Sequence, residues 1–369
     1  MMQHMTMGFQ EEVTLRLRSL YNGAGYAQYR MSKFEEYDLY ARNKDFLISD
    51  SVITFMDVSG RLMALKPDVT LSIVKNTRDD TPGTQKLYYN ENVYRVTPGA
   101  HGFREIMQLG LECLGQIDDY CQWEVLTLAA ESLRTISGDG VLDISHLGLL
   151  ERFLTELGIP AGCRADALRF VSEKNIHDLA SLCRSFGVPE ERISLLRQVL
   201  DCCGAPETVL PRLHYLLSGV TDTAPVDELM RITDALSPEI RAMIRFDFSA
   251  VDDVRYYNGI LFKGYIPGIP QRVLSGGRYD RLMANMGRKS GAVGFAVYMD
   301  ALERLDTRQE QYDADDLLLY DGGVSLAQLA EKVQELKNQG RSVLVQRTVP
   351  ENIRVRRILK LAGGEVTGV

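Results

Sequence analysis

The stretch 105–115, EIMQLGLECLG, constrains the fold of this chain more than any other. Side chains alternate across a strand, so Ile106, Gln108, Gly110 and Glu112 share one face and Met107, Leu109, Leu111 and Cys113 share the other. The second is a core face. The first sets an amide, a bare glycine and a carboxylate in a row, which suits a small ligand: Gly110 leaves room, while Gln108 and Glu112 offer hydrogen bonds. Taken alone, the pattern also fits an ordinary solvated face. A second long strand is expected over 86–95, and the loop between the two carries Pro98, Gly99 and Gly102.

Other elements can be placed around this pair. Residues 9–22 mix charges with Phe9, Val13, Leu17, Leu20 and Tyr21 at helical spacing, and Gly23, Ala24 and Gly25 end the element. Residues 52–58 and 61–66 read as a hairpin with Ser59 and Gly60 at its turn. Pro67 then sits where a helix begins, with Asp68 and Thr70 in the first turn. A helix is expected over 123–136. Residues 160–240 read as a helical block punctuated by Pro189, Pro206, Pro211, Pro225 and Pro238. Strands are expected at 244–250, 256–265 and 272–275, followed by a turn at Gly276 and Gly277, a helix, and a strand-to-helix unit at 292–304. After a polar linker at 306–316, strands at 317–320 and 342–347 alternate with helices at 325–338 and 351–361, a small βαβα module.

Composition excludes several function classes. No apolar run approaches the roughly 20 residues that span a bilayer, and the first residues show no basic region followed by an apolar stretch, so a cytoplasmic protein is expected. The six cysteines show no paired spacing, and the adjacent Cys202 and Cys203 do not chelate as CxxC does. Five scattered histidines add no metal signature, and neither a metal nor a cofactor is expected. HExxH, GxxxxGK[ST] and GxSxG are absent. A net charge of −8 argues against nucleic acid, because neutralising phosphates supplies much of the affinity for an RNA backbone. Arg354, Arg356 and Arg357 form the one dense basic cluster.

Further candidate segments lie towards the C-terminus. Tyr256 and Tyr257, with Gly259, fall in an expected strand, where only one of the two tyrosines can line a pocket. The run Ser275, Gly276, Gly277, Arg278, Tyr279, Asp280 fits either a phosphate-cradling turn or close packing before a helix.

In chain order these segments resemble the histidyl-tRNA synthetases. Residues 65–70, LKPDVT, look like that family's LRPEGT segment. Val93, Tyr94 and Arg95, followed by Arg104, Glu105 and the run 108–112, look like class II motif 2 and its following strand. Residues 255–259, RYYNG, resemble the histidine-specific DYY segment; 275–280 match AGGRYD, and 291–296 match the start of motif 3. The resemblance covers roughly 9–305. It implies an α+β fold: a class II synthetase-like antiparallel sheet with flanking helices, in a core made of 1–158 and 241–306. The rest would be a helical insertion at 159–240 and a small C-terminal α/β module at 315–369.

Carried over residue by residue, the resemblance implies an amino-acid pocket in which Asp68, Thr70 and Gln108 meet an amino group. Glu112 and a tyrosine, Tyr256 or Tyr257, would meet an imidazole. The nucleotide side departs from the family pattern. Arg95 matches the motif 2 arginine, but the acidic residue expected two positions later is Thr97. The motif 3 arginine falls at Ala301, the histidine-specific catalytic arginine at Asp252, and the motif 1 proline at Ser32. Adenylation brings a carboxylate up to an α-phosphate while pyrophosphate leaves, so fixed cations must meet the charge. Ala301 removes one such cation and Asp252 replaces another with the wrong sign.

A core that keeps the amino-acid half and loses the nucleotide half is similar to the non-catalytic synthetase paralogues that serve as regulatory subunits of ATP phosphoribosyltransferase. That resemblance implies no catalytic residues here. It implies a short-form catalytic subunit as partner, a homodimer within a hetero-oligomer, histidine as a ligand, and a role in activating and feedback-regulating the first step of histidine biosynthesis. The alternatives are an active histidyl-tRNA synthetase and a synthetase-like amino-acid-sensing protein.

Overall fold

The computed structural model describes residues 8–47, 51–78, 83–96, 102–251, 256–305, 312–362 and 365–368. The chain divides into two compact units: one is Phe9–Leu305, and the described part of the other is Gly8 with 312–362 and 365–368.

The larger unit opens with α1 (Phe9–Gly23) and a two-residue strand, β1 (Ala27–Gln28). Next come β2 (Phe34–Glu36), α2 (Tyr37–Arg42), and the expected hairpin, β3 (Thr54–Met56) with β4 (Leu62–Leu65). α3 (Thr70–Asn76) leads into the long strands β5 (Gln85–Val96) and β6 (Phe103–Gly115), then α4 (Asp119–Ile136), β7 (Val141–His146) and α5 (Leu147–Glu156). The helical block is α6 (Ala161–Ser172), α7 (Ile176–Ser185), α8 (Glu190–Leu200), a short strand β8 (Cys203–Gly204), α9 (Pro206–Leu217), α10 (Ala224–Asp234) and α11 (Pro238–Arg241). The unit finishes with β9 (Ile244–Asp247), β10 (Ile260–Tyr265), β11 (Leu274–Arg278), α12 (Asp280–Asn285), β12 (Gly291–Tyr298) and a 3-10 segment, Met299–Leu305.

Nine of these strands form one sheet in the order β1-β5-β6-β12-β11-β10-β7-β9-β8. From β5 to β7 every pair is antiparallel; β1 on β5 and β9 on β7 are parallel. The sheet buries both faces. Leu109, Leu111, Cys113, Val293, Phe295, Phe262 and Ile144 join Val125, Ala129 and Leu133 of α4 in the main core. Helix α4 is anchored at its start by Asp118, whose carboxylate accepts the Cys121 N–H at 2.9 Å. On the other face Tyr89, Val93, Leu114 and Ala292 pack with Val69, Leu71, Ile73 and Val74 around α3.

Two expectations about glycines and tyrosines fail here. Gly276 and Gly277 lie inside β11 and not in a turn. They are bare because neighbouring strands press on them: a Cβ on Gly276 would fall on Gly294 O and Phe295 Cβ, and one on Gly277 on Tyr257 and Ile260 O. Tyr256 and Tyr257 precede β10, which starts at Ile260, so strand alternation does not separate them.

The C-terminal unit contains β13 (Ala314–Tyr320), α13 (Leu326–Asn338), β14 (Val343–Gln346), β15 (Val355–Ala362) and β16 (Glu365–Gly368), in a sheet ordered β14-β13-β15-β16. The helix expected over 351–361 is instead strand β15, so the module is not βαβα. Asp316 of β13 is fully buried, and Arg357 beside it in register donates two hydrogen bonds to its carboxylate, at 2.7 and 2.6 Å. A buried carboxylate must be paired, and pairing along β13 overrides the helical propensity of Arg, Leu and Lys.

Candidate functional site

β6 displays Gln108, Gly110 and Glu112 on the face away from the main core, as its alternation requires. Register sets Tyr89 of β5 beside Gly110, and Gly294, Ala296 and Tyr298 of β12 opposite Glu112, Gly110 and Gln108. Ser275 of β11 continues the same face. Asp68 and Thr70 come from the start of α3, Tyr256 and Tyr257 from the approach to β10, Tyr279 from the end of β11, and Arg95 from β5. All of them line one cavity. Gly294 lines it as bare backbone, and Gly110 lies beneath the Tyr89 ring, where a Cβ would meet the Tyr89 hydroxyl and Phe295 O.

Glu112 is the electrostatic centre. It is 2 % exposed. Thr70 Oγ1 donates to its Oε1 at 2.7 Å and the Tyr279 hydroxyl to its Oε2 at 2.5 Å. Burial nevertheless pushes its pKa up to about 8, because the two hydroxyls offset only part of the lost hydration and Asp68 adds a like charge. Asp68 is raised by the same desolvation, opposed by the N–H groups of Leu71 and Thr70 and by Arg95. Its Oδ1 accepts the Leu71 N–H at 2.9 Å, which ties it to the first turn of α3. Tyr256 stacks obliquely on Tyr257 at 4.9 Å between ring centroids and on Tyr279 at 5.6 Å, giving an aromatic wall. Burial holds the Tyr256, Tyr89 and Tyr279 phenols well above their usual range, so all three are neutral donors.

The structure brings Asp68, Thr70, Arg95, Gln108, Glu112, Tyr256 and Tyr257 into one cavity. The expectation that only one of the two tyrosines faces it is corrected: both do. Thr97 and Asp252 lie outside the described residues. Ala301 is buried in the 3-10 segment after β12, packed into the main core and not lining the cavity. Tyr89 and Tyr298 also line it and were not singled out, and Ser275, Tyr279 and Gly294, noted only as parts of longer runs, line it as well. For Ser275 and Tyr279 a signal existed: with Gly277 they recur at period two, which reading the glycines as a turn concealed.

Chemically the cavity is a box of aromatic walls over hydrogen-bonding groups. The Gln108 amide and two carboxyls face in, and among the described lining residues Arg95 is the only Arg or Lys. Such a set suits a small zwitterion with a ring N–H donor. Among the described residues it offers one fixed positive charge for an anion, Arg95. No cluster of three or more His, Cys, Asp or Glu among the described residues is placed to hold a metal ion.

The family model for histidyl-tRNA synthetase matches residues 3–302. An ATP phosphoribosyltransferase regulatory subunit from Oceanobacillus iheyensis is 27% identical over 331 residues, covering 88% of this chain and 81% of that protein. An ATP phosphoribosyltransferase regulatory subunit/histidyl-tRNA synthetase from Bacillus halodurans C superposes with a TM-score of 0.76 at 22% identity, covering 92% of this chain and 88% of that one. A chain of the ATP phosphoribosyl transferase (HisG:HisZ) complex from Thermotoga maritima gives 0.61 at 20% identity, over 78% of this chain and 96% of that one. The two structural likenesses are likenesses of fold.

Proposed function

The chain belongs to the histidyl-tRNA synthetase family, and from that premise we propose that it is the non-catalytic regulatory subunit of ATP phosphoribosyltransferase, acting in the first step of histidine biosynthesis. One observation carries the reading. Asp68, Thr70, Gln108, Glu112, Tyr256 and Tyr257 line one cavity in which Arg95 is the one Arg or Lys among the described residues, and Ala301 stands buried where the family motif has an arginine. Relatives named for the regulatory role support it.

The partner is a short-form ATP phosphoribosyltransferase catalytic subunit, and the chain pairs with itself within that hetero-oligomer. The ligand of the cavity is histidine. Glu112, with Thr70 and Tyr279 bonded to it, meets the imidazole; Asp68 and Gln108 meet the α-amino group; Arg95 meets the carboxylate. Histidine shifts the complex between states only by its differential affinity for them, so the cavity regulates to the extent that its shape differs between those states. The helical stretch 159–240 is an insertion in the core formed by 1–158 and 241–306, with 315–369 as a separate module. No helix among the described residues is long and apolar enough to cross a membrane, and we place the complex in the cytoplasm.

The test mixes this chain with a short-form catalytic subunit and measures both association and ATP phosphoribosyltransfer, with and without histidine. Activation on mixing, and inhibition by histidine, are the expected results. No association and no activation overturn the reading, and histidine-dependent ATP–pyrophosphate exchange by the chain alone would show a working synthetase instead.

A further inference from the structure

A second cavity, of about 490 Å³, lies on the opposite face of the sheet from the site above. Along β11, Ser275 lines the first cavity and Arg278, of the other strand parity, lines the second. His146 at the end of β7 pairs in register with Ile260 of β10, on the same core-facing side as Ile144 and Phe262.

His146 is only 6 % exposed. Its Nδ1 accepts the Leu149 N–H at 3.0 Å, capping α5. Burial and the nearby guanidiniums of Arg278 and Arg152 lower its pKa to about 4, so the ring is neutral and its proton sits on Nε2. No described protein group accepts that proton. Two further donors are in the same condition. The Asn258 carbonyl oxygen accepts the Arg281 N–H at 3.3 Å, which leaves its amide NH2 without an acceptor. Arg164 uses only Nε, on Ile159 O at 3.0 Å, and among the described residues no carboxylate meets its guanidinium.

The acids of the cavity are, by contrast, all engaged. Glu151 is held by Arg281 at 2.8 Å and Asp280 by Arg278 at 2.7 Å, while Glu228 accepts from Gln122 and lies 4.0 Å from Arg278. Among the described lining residues, three side-chain donors are thus left for a ligand, against one neutral side-chain acceptor, the Gln122 carbonyl. Gly148 brings the N-terminal turn of α5, a helix of 10 residues, to the same space, adding the positive end of its dipole. A cavity of this size is in the range of small-molecule sites, about 300–1,000 Å³.

We propose that this second cavity binds a small phosphate-bearing molecule, held by His146 Nε2–H and the Asn258 amide near the start of α5 and by the Arg164 guanidinium of α6. The site is independent of the regulatory reading and of the amino-acid cavity across the sheet.

Calorimetric titration of the full chain with inorganic phosphate and with glycerol 3-phosphate, at ionic strength matched by chloride, tests it. Saturable binding of at least one probe is expected, weakened at least tenfold by Arg164→Gln and by His146→Asn, and unchanged by Glu112→Gln. Asn at 146 keeps an acceptor for the Leu149 N–H; should that variant fold poorly, Arg164→Gln decides alone, since Arg164 makes only one hydrogen bond to the protein. No saturable heat with either probe, or affinity unaltered in Arg164→Gln, overturns the assignment.

Discussion

Glu112 and Gly294 face each other across β6 and β12, and the Glu112 carboxylate fills the volume that any side chain at 294 would need. A methyl there would also meet Leu111 O, a backbone atom, so rotating Glu112 away does not relieve the clash. Gly294→Ala should therefore cost about 1–3 kcal/mol and abolish histidine binding. Urea denaturation and calorimetry check it; a variant as stable as the parent that still binds histidine would show the contact to be unimportant.

The proton on Glu112 makes a pH prediction with a definite sign. Its pKa rises from 4.5 to about 8 on folding, so between those values the folded chain holds a proton that the unfolded chain has released. Stability falls as pH rises through that window, by at most about 1.4 kcal/mol per unit. Glu112→Gln removes this fall, read as urea midpoints measured across the window.

His146 acts in the opposite sense. Its pKa drops from 6.5 to about 4 on folding, so the unfolded chain binds the extra proton and stability rises with pH between those values. The two slopes oppose each other where their windows overlap. In Glu112→Gln the rise should therefore steepen between pH 4.5 and 6.5, and adding His146→Asn should remove the His146 share of it.

Arg95, 5 % exposed in the cavity wall, is the group available to a ligand carboxylate. Histidine should bind at least tenfold more tightly than histamine, which lacks that group, and Arg95→Gln should bring the two affinities together. Equal affinities in the parent protein would remove Arg95 from the carboxylate role.

In the C-terminal unit, Arg357→Gln leaves the buried Asp316 with Arg341 alone, at 3.6 Å. Removing one partner of a wholly buried pair costs about 3–5 kcal/mol. Because the Arg357 side chain is 43% exposed, roughly half of that is expected, seen as faster amide exchange along β13 and β15. Asp316→Asn in the same chain should restore part of the loss.

What could be read in advance follows from how local each cause is. The parity of β6 was legible because alternation is a property of neighbouring residues, and it placed Gln108 and Glu112 on one face. Asp68 and Thr70 were legible from the proline-led start of α3. Gly276 and Gly277 were misread because paired glycines usually mark a turn, whereas here Phe295 and Tyr257 from other segments require them. β15 was misread as a helix because its deciding contact, Arg357 with Asp316, spans 41 positions. Tyr89 enters the site through its register with Gly110, which no single segment states.

Gly110, Gly276, Gly277 and Gly294 form a bare seam through three adjoining strands. A library of single substitutions should find these positions as unforgiving as reacting groups in an enzyme, although none of them does chemistry. Intolerance along the seam measures how closely the strands are pressed together. A position can thus be held fixed by packing alone, with no chemistry to defend.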